Sequence, residues 1–318
     1  MRGPAVAGAR HPGCVTHRPP LPLSLPAAFT VAQAAEVGVP PGRLRGRSLG
    51  RPFHGVRSRS SGAPAGMYEL CRAYAPRLRE GQFFSHETAL LLHGAPMPEW
   101  PYVPAIHVSA HRPAREPRTQ GVIGHRLQTR PPAFRVIAGL PVEDPARAWR
   151  QCGRRWTHGD LVAAADFLVS GAQPRVRAAE LRAEVARMGD VRGGILSRAL
   201  DDVRSGVRSA RETRLRLLLR DAGLPEPQTA WNLYDERGTF IAELDLAYPR
   251  RRVAVEYDGR VHAADPDQFA RDADRWDAVR AQGVDLVRIL SHHLAGDGAA
   301  AVQKVRAALT RAGWTPLT

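Results

Sequence analysis

The chain has 318 residues, with 46 Lys and Arg against 31 Asp and Glu, for a formal net charge of +15 at pH 7. This length suggests two or three domains, and a hydrophobic fraction of 43% is enough to build packed cores. No run of about 18 consecutive apolar residues occurs, which excludes a membrane-spanning helix. The apolar stretch 21–29 is short and interrupted by two prolines, so it makes a poor signal peptide and we expect a cytoplasmic protein.

The positive charge is concentrated in one part of the chain. Residues 1–204 hold 29 Lys and Arg and 15 Asp and Glu, whereas residues 205–318 hold 17 and 16. All the basic residues except Lys304 are arginines, whose guanidinium groups suit phosphates and guanine edges. A general bias toward arginine would explain the same composition. The excess charge indicates an anionic polymer as the partner of the first two thirds of the chain.

The first 65 residues contain two different patterns. Residues 1–27 are rich in Pro, Gly, Ala and Arg without periodicity, which predicts a disordered leader or sequence translated upstream of the true start. Residues 28–65 then show a capped helix at 31–37, a second basic helical turn and a wing-like hairpin at 50–57, the layout of a winged helix-turn-helix domain. A basic helical hairpin without a function in the DNA groove is the alternative. The candidate DNA contacts are Arg43, Arg45, Arg47, Arg51 and Arg57.

The middle region, residues 66–204, mixes helices and strands and is predicted to be α+β. Its helical patterns cover 67–79, 86–93, 145–151, 161–169 and 178–188, and its strand patterns cover 106–109 and 122–127. Its histidines are His86, His93, His107, His111 and His125. These histidines lack HExxH-type spacing, so ordinary surface or core positions are favoured over a metal site.

The last region, residues 205–318, contains a group of carboxylates on regular elements. Ser209 and Glu212 form a capping box at the start of a helix. Two predicted strands follow at 239–248 and 253–258, and they can pair as a hairpin. The chain then continues with a helix from 266, a strand at 284–290 and a helix at 299–312, so the predicted order is αββαβα in a mixed α/β fold.

Three acidic side chains are predicted to meet in this hairpin. Period-2 alternation puts Glu256 and Asp258 on one face of the second strand, and pairing can bring Asp245 beside them. Like charges this close raise a pKa or require a cation, and Mg²⁺ or Mn²⁺ prefers oxygen ligands. The alternative is a solvated sheet face with scattered acids. It is weakened because residues 253–255 are apolar, as in a strand buried on both faces.

These motifs resemble the restriction-endonuclease-like PD-(D/E)XK superfamily. The resemblance covers residues 205–295 and is carried by Glu212, Asp245, the Glu256-Tyr257-Asp258-Gly259 run, His262 and the helix at 272–275. Within that superfamily the chain is similar to the domain-of-unknown-function 559 family, near the very-short-patch-repair (Vsr) endonucleases. The resemblance implies a nuclease-like domain at 205–318.

The resemblance also implies roles for individual residues. Asp245 and Glu256 would be metal ligands, and Glu212, the acidic residue of the first helix, would complete the metal site by positioning the ion or its water ligands. Asp258 stands where the family motif usually has a lysine, which leaves His262 or Arg260 to supply a positive charge or move a proton. The implied catalytic set is Glu212, Asp245, Glu256, Asp258 and His262.

The earlier part of the chain resembles AbiEi-type antitoxin and regulator proteins. The resemblance is carried by the SHETALLLHG segment at 85–94 and the IHVS strand at 106–109. Proteins of that type begin with a winged helix-turn-helix domain, so the resemblance implies DNA binding and a partner in a toxin–antitoxin or defence system.

Three functional hypotheses follow. The leading one is a Mg²⁺-dependent endonuclease acting on DNA and tethered by its basic N-terminal part. The second is a DNA-binding regulator, antitoxin-like, whose nuclease fold is degenerate, as Asp258 at the lysine position favours. The third is an RNA-directed nuclease of a toxin system, although no aromatic RNA-binding motif is visible.

Overall fold

The computed structural model of the protein describes residues 20–99, 105–258 and 266–316, with the backbone alone over 266–272. The chain divides into two compact units. The first is Met1–Arg79 with Thr119–Gly121, and the second is Glu80–Arg118 with Val122–Thr318. Both units combine helices with strands, which confirms the mixed α/β class. The predicted boundary at 204/205 falls inside the second unit.

The first unit is built on a short two-stranded sheet with three helices. Its elements are β1 (Ala28–Thr30), α1 (Val31–Glu36), α2 (Pro41–Leu44), β2 (Val56–Ser58) and α3 (Met67–Tyr74). The two strands pair antiparallel, with Phe29 opposite Arg57. Thr30 begins α1 through the predicted capping contact, since its hydroxyl accepts a hydrogen bond from Gln33 N at 3.1 Å.

Part of the predicted disordered leader belongs to this folded unit. Leu21 and Leu25 are buried in the same apolar cluster as Phe29. The Arg59 side chain donates hydrogen bonds to the carbonyls of Pro22 and Leu25. The prediction of disorder was therefore wrong for residues 20–27, because apolar side chains in a proline-rich segment still find a core. Residues 1–19 lie outside the described part of the chain.

The predicted wing differs from an independent hairpin. An isolated bridge between Gly50 and Ser58 closes the loop that contains it. Its last residues form β2, whose partner strand is β1 rather than the start of the loop. The predicted basic second helix is α2, a single turn of four residues.

The second unit contains two sheets and the remaining helices. Its strands are β3 (Gln82–Phe84), β4 (Ile106–His111), β5 (Val122–Leu127), β6 (Phe134–Ile137), β7 (Leu140–Glu143), β8 (Gln228–Tyr234), β9 (Phe240–Tyr248), β10 (Val253–Asp258) and β11 (Asp285–Leu290). Its helices are α4 (His86–Leu92), α5 (Pro145–Cys152), α6 (His158–Val169), α7 (Ala178–Met188), α8 (Ile195–Asp201), α9 (Ala210–Asp221), α10 (Pro266–Ala281) and α11 (Ala299–Arg311). None of the described helices is both long and apolar enough to cross a membrane.

The first of these sheets has five strands in the order β5-β4-β3-β7-β6. β4 runs antiparallel to β3 and parallel to β5, with Ser109 opposite His125. Strand β4 is buried along nearly its whole length, because sheet neighbours flank it on both sides and α4 packs against it. This strand position brings the histidines of β4 and β5 close together.

The other sheet has four strands in the order β11-β10-β9-β8. β9 and β10 pair antiparallel, with Leu246 opposite Val255, and β10 runs parallel to β11, with Glu256 opposite Arg288. The order along the chain is αβββαβα, one strand more than predicted. The additional strand, β8, is an edge strand with mostly exposed or half-buried residues and a register shift near its end. It therefore lacks the alternation that would have predicted it.

A buried ion pair fastens α6 to α9. Asp166 accepts hydrogen bonds from Arg216 Nη2 at 3.0 Å, Thr213 Oγ1 at 2.8 Å and Arg204 N at 2.7 Å. The side chains of Asp166 and Arg216 are at most 1% exposed. Because this contact joins residues on either side of 204/205, the two predicted domains pack as one compact unit.

Candidate functional site

The predicted meeting of Asp245 and Glu256 is present in the β9–β10 hairpin. The backbone N–H of Asp245 donates to Glu256 Oε1 at 3.3 Å, and the N–H of Tyr257 donates to Asp245 Oδ2 at 3.2 Å. Each carboxylate thus reaches toward the neighbouring strand. The pairing register that places Leu246 opposite Val255 is what brings them together.

Burial and mutual repulsion make this carboxylate pair easy to protonate. The pKa of Asp245 is raised to about 7, first by burial and then by the charges of Glu256 and Glu212. The pKa of Glu256 is also raised, mainly by burial, although the nearby Arg275 opposes the shift. A site of this kind favours either a proton or a bound cation.

Glu212 combines a structural position with proximity to the pair. Ser209 Oγ accepts from Glu212 N at 3.2 Å and donates to Glu212 Oε1 at 2.8 Å, while Arg208 N donates to Glu212 Oε2 at 2.9 Å. Ser209 therefore caps α9, as predicted, whereas the Glu212 carboxylate accepts from Arg208 N, one residue earlier than in a capping box. Glu212 is also buried and close enough for its charge to raise the pKa of Asp245.

Arg275 supplies a positive charge at the site, a role that the sequence analysis did not assign to it. Its Nη2 donates to Glu256 Oε2 at 2.9 Å from the neighbouring helix α10. Arg275 lies one helical turn before Val279, a fully buried residue on the side of α10 that packs onto the sheet. That four-residue spacing was the available signal, because residues four apart share one helix face.

Asp258 is near the pair but is engaged with another cation. It forms an ion pair with Arg288 of β11. The guanidinium carbon of Arg288 lies 3.6 Å from the centroid of the Trp276 ring. The position that the resemblance assigns to the motif lysine therefore carries an acid that is paired with an arginine. The predicted candidates His262 and Arg260 lie outside the described residues.

The structure gathers three of the five scattered histidines. Of the groups of three or more possible metal ligands among the described residues, the one whose ligand atoms all lie within 4.8 Å of one another is His86, His107 and His125. Glu212, Asp245 and Glu256 converge less closely than that. The absence of a sequence motif did not reveal that these histidines lie close together, because they come from one helix and two neighbouring strands.

The five candidate DNA contacts divide into two kinds. Arg45, Arg47 and Arg51 are exposed. Arg43 and Arg57 are half-buried, and Arg57 donates to the carbonyls of Leu44 at 2.7 Å and Val56 at 2.8 Å. Arg57 thus holds α2 and β2 together within the first unit.

A cleft of about 680 Å³ lies elsewhere in the second unit. Arg211, Arg214 and Glu99 line it, and Glu99 forms ion pairs with both arginines at 3.1 and 3.4 Å. Asp245 and Glu256 are not among its lining residues. The carboxylate pair is therefore not part of this cleft.

Comparisons with known proteins give a limited similarity. No protein-family model matches the chain, and no solved structure matches it significantly. Two proteins of Mycobacterium tuberculosis, from strains CDC 1551 / Oshkosh and ATCC 25618 / H37Rv, are each 31% identical to it over 117 residues. The match covers 36% of this chain and 43% of each relative, so it spans less than half of their length. Both relatives are described as uncharacterized proteins, and the similarity carries no activity with it.

Proposed function

We propose that the protein is a DNA-binding, Mg²⁺- or Mn²⁺-dependent endonuclease-like protein of the restriction-endonuclease-like type, acting in the cytoplasm. The observation that carries the proposal is the buried Asp245–Glu256 pair, in which the pKa of Asp245 is raised to about 7. This pair supports a cation site, because two ionised carboxylates buried in one hairpin destabilise the folded state unless a cation relieves their repulsion.

The residues at the site fit a hard divalent cation. Asp245 and Glu256 would hold it through carboxylate oxygens, with Glu212 close enough to influence its water ligands. When bound, such an ion polarises a phosphodiester and lowers the pKa of a coordinated water. Arg275 orients Glu256 by its hydrogen bond and would stand beside a phosphate as a second positive charge. The proton-transfer role of His262 stays a prediction.

The first unit would supply binding to DNA. Its exposed arginines Arg45, Arg47 and Arg51 follow the single-turn helix α2, and the segment 1–204 carries most of the positive charge of the chain. Guanidinium groups of this kind bind phosphates without reading the bases. The winged helix-turn-helix assignment of this unit is part of the proposal.

Plasmid nicking tests the proposed activity. We expect the wild-type protein to convert supercoiled plasmid to the nicked or linear form with Mg²⁺ or Mn²⁺ and not with EDTA. Asp245→Asn and Glu256→Gln should each reduce the rate at least a hundredfold, because each removes a metal-binding charge. The matched control is Asp285→Asn, which alters an exposed carboxylate at the far end of β11 in the same sheet. Nicking by Asp245→Asn at the wild-type rate would overturn the proposal.

A non-catalytic DNA-binding regulator is the second candidate. The observation that favours it is that Arg275 already neutralises Glu256, and Arg288 neutralises Asp258, without a metal. Calorimetry with Mg²⁺ separates the two functions, since histidines bind this ion poorly and do not interfere. Mg²⁺ binding that disappears in Asp245→Asn supports the nuclease. DNA binding without any Mg²⁺ binding supports the regulator, with a toxin–antitoxin or defence-system partner as its setting.

A further inference from the structure

Three histidines in the five-stranded sheet form a compact group that the carboxylate site does not use. His107 Nδ1 lies 2.9 Å from His125 Nε2, and the rings of His86 and His125 stack with centroids 3.7 Å apart. The three rings come from the start of α4 and from the neighbouring strands β4 and β5. We call them the histidine group. His107 is buried and the other two are half-buried.

The two strand histidines present ring nitrogens to each other. A neutral imidazole has one nitrogen with a free lone pair, and that nitrogen can coordinate a transition metal. His107 and His125 face each other across 2.9 Å, where a single shared proton links them.

A buried carboxylate stands behind the group. Glu87 Oε2 lies 3.6 Å from His107 Nε2, and both atoms are buried without a hydrogen-bond partner in the described part of the chain. A metal on His107 Nδ1 would make Nε2–H a stronger donor toward Glu87. This carboxylate–histidine arrangement is the usual support of a histidine ligand to zinc. Arg155 Nε lies 3.7 Å from the other Glu87 oxygen.

The position of His86 adds a further constraint. Its Nδ1 lies 2.9 Å from Ser85 Oγ, which leaves Nε2 as the free ligand atom. Its backbone has φ of 53°, a strained conformation for a residue with a side chain, and its N–H donates to Gln151 Oε1 at 2.9 Å. The fold thus fixes this histidine beside the other two despite the strain.

We infer that His86, His107 and His125 bind a Zn²⁺ ion through His86 Nε2, His107 Nδ1 and His125 Nε2, with the fourth position open to water. Three imidazole nitrogens suit zinc and related transition metals, and they disfavour Mg²⁺ and Ca²⁺. Zinc–nitrogen bonds of about 2.0–2.1 Å require His107 and His125 to separate by only about 0.4 Å. The His86 ring turns about its side-chain bonds. The proton between the other two rings moves to the non-ligating nitrogen of the ring that carries it, so each imidazole stays neutral when the ion takes its place.

Zinc titration tests this site separately from the carboxylate pair. The full-length protein is stripped with EDTA, dialysed and titrated with Zn²⁺ against a chromophoric chelator, in the Asp245→Asn background so that the carboxylate pair does not contribute. We expect one equivalent of Zn²⁺ to bind. His125→Gln should weaken the affinity at least a hundredfold. The matched control is His111→Gln. His111 lies on β4, as His107 does, and its ring contacts the Gln128 carbonyl outside the histidine group. This variant should keep the zinc affinity within about twofold of the wild-type value.

Two further readouts keep the result decisive. Co²⁺ in place of Zn²⁺ should give the intense visible absorption of a four-coordinate nitrogen site. If circular dichroism shows that His125→Gln does not fold, His86→Gln takes its place, and it should abolish this absorption. Glu87→Gln should weaken zinc binding by about 10- to 100-fold without removing the cobalt spectrum, as expected of a residue that positions a ligand. Absence of zinc binding, or equal binding by His125→Gln and His111→Gln, would overturn the inference while leaving the proposed nuclease untouched.

Discussion

Single buried carboxylates in the second unit differ in how their charge is balanced. Glu143 at the end of β7 is completely buried, and burial raises its pKa to about 7. Its Oε2 accepts a hydrogen bond from Gln151 at 3.0 Å, while Arg147 approaches Oε1 only to 3.9 Å. Asp166 by contrast has a direct arginine partner. The pKa of Asp166 is raised to about 6 even with that partner, and the ionisation of Glu143, which has no such partner, should be visible in the stability of the protein.

The pKa of Glu143 predicts a stability that falls as pH rises. The folded-state pKa of about 7 exceeds the unfolded value of about 4.5, so the folded state binds more protons between these limits. Stability is fully present below the lower value and is lost as pH rises through 7. Glu143→Gln stays neutral, so its free energy of unfolding relative to wild type should increase by about 2 kcal/mol from pH 5 to pH 8.

Urea unfolding followed by tryptophan fluorescence reports on the second unit, which contains Glu143, since the first unit has no tryptophan. Glu236→Gln, an exposed carboxylate in the turn between β8 and β9, serves as the control and should show no such pH dependence. If the difference between Glu143→Gln and wild type is the same at both pH values, Glu143 is ionised in the folded state throughout.

At the scale of elements, local signals predicted some features well and contacts between distant segments escaped prediction. The bounds of β5, α7 and β10 agree with the sequence patterns to the residue, because each has a full period of apolar positions. Strands β3 and β6 have only three or four residues, too few to show a period.

The candidate sites show the same difference between local patterns and contacts of distant segments. The Asp245–Glu256 contact follows from one hairpin register, and the helix face of Arg275 follows from its spacing to Val279. The partner of Arg275 and the histidine group depend instead on packing between distant segments.

The Asp166–Arg216 ion pair predicts how strongly α6 and α9 depend on each other. Arg216→Met should destabilise the second unit by about 3–5 kcal/mol, because it leaves a buried carboxylate uncompensated. The double variant Asp166→Leu/Arg216→Met should recover part of that loss, since no unpaired charge remains. Tryptophan fluorescence in urea gives the three free energies. The control is Arg280→Ala, whose exposed ion pair with Asp277 within α10 should be worth less than about 1 kcal/mol. A double variant at least as unstable as Arg216→Met alone would contradict the argument.

At the scale of the whole molecule, the charge is divided between the parts of the chain. Residues 1–204 carry a large basic excess, and residues 205–318 are close to neutral with 17 Lys and Arg against 16 Asp and Glu. The near-neutral part nevertheless contains the acidic hairpin, where the arginines Arg275 and Arg288 balance individual carboxylates. This division suits a protein that holds a polyanion with one segment and keeps local negative charge for a cation in another.

The salt dependence of DNA binding tests the role of the exposed arginines in the first unit. Each arginine that contacts a phosphate adds about 0.9 to the slope of log affinity against log salt concentration. Replacing Arg45, Arg47 and Arg51 together by Ala should therefore lower that slope by about 2–3 and weaken binding at low salt. Fluorescence anisotropy with a labelled duplex at several salt concentrations gives the slopes.

A matched triple variant removes the same charge from elsewhere. Arg237, Arg280 and Arg311 are exposed in the second unit, and replacing them by Ala should leave the slope nearly unchanged. Arg57→Ala should instead destabilise the first unit by about 1–3 kcal/mol, because the Arg57 side chain bonds the carbonyls of Leu44 and Val56. Equal slopes for the two triple variants would show that affinity follows net charge alone, and the first unit would then have no special role in DNA binding.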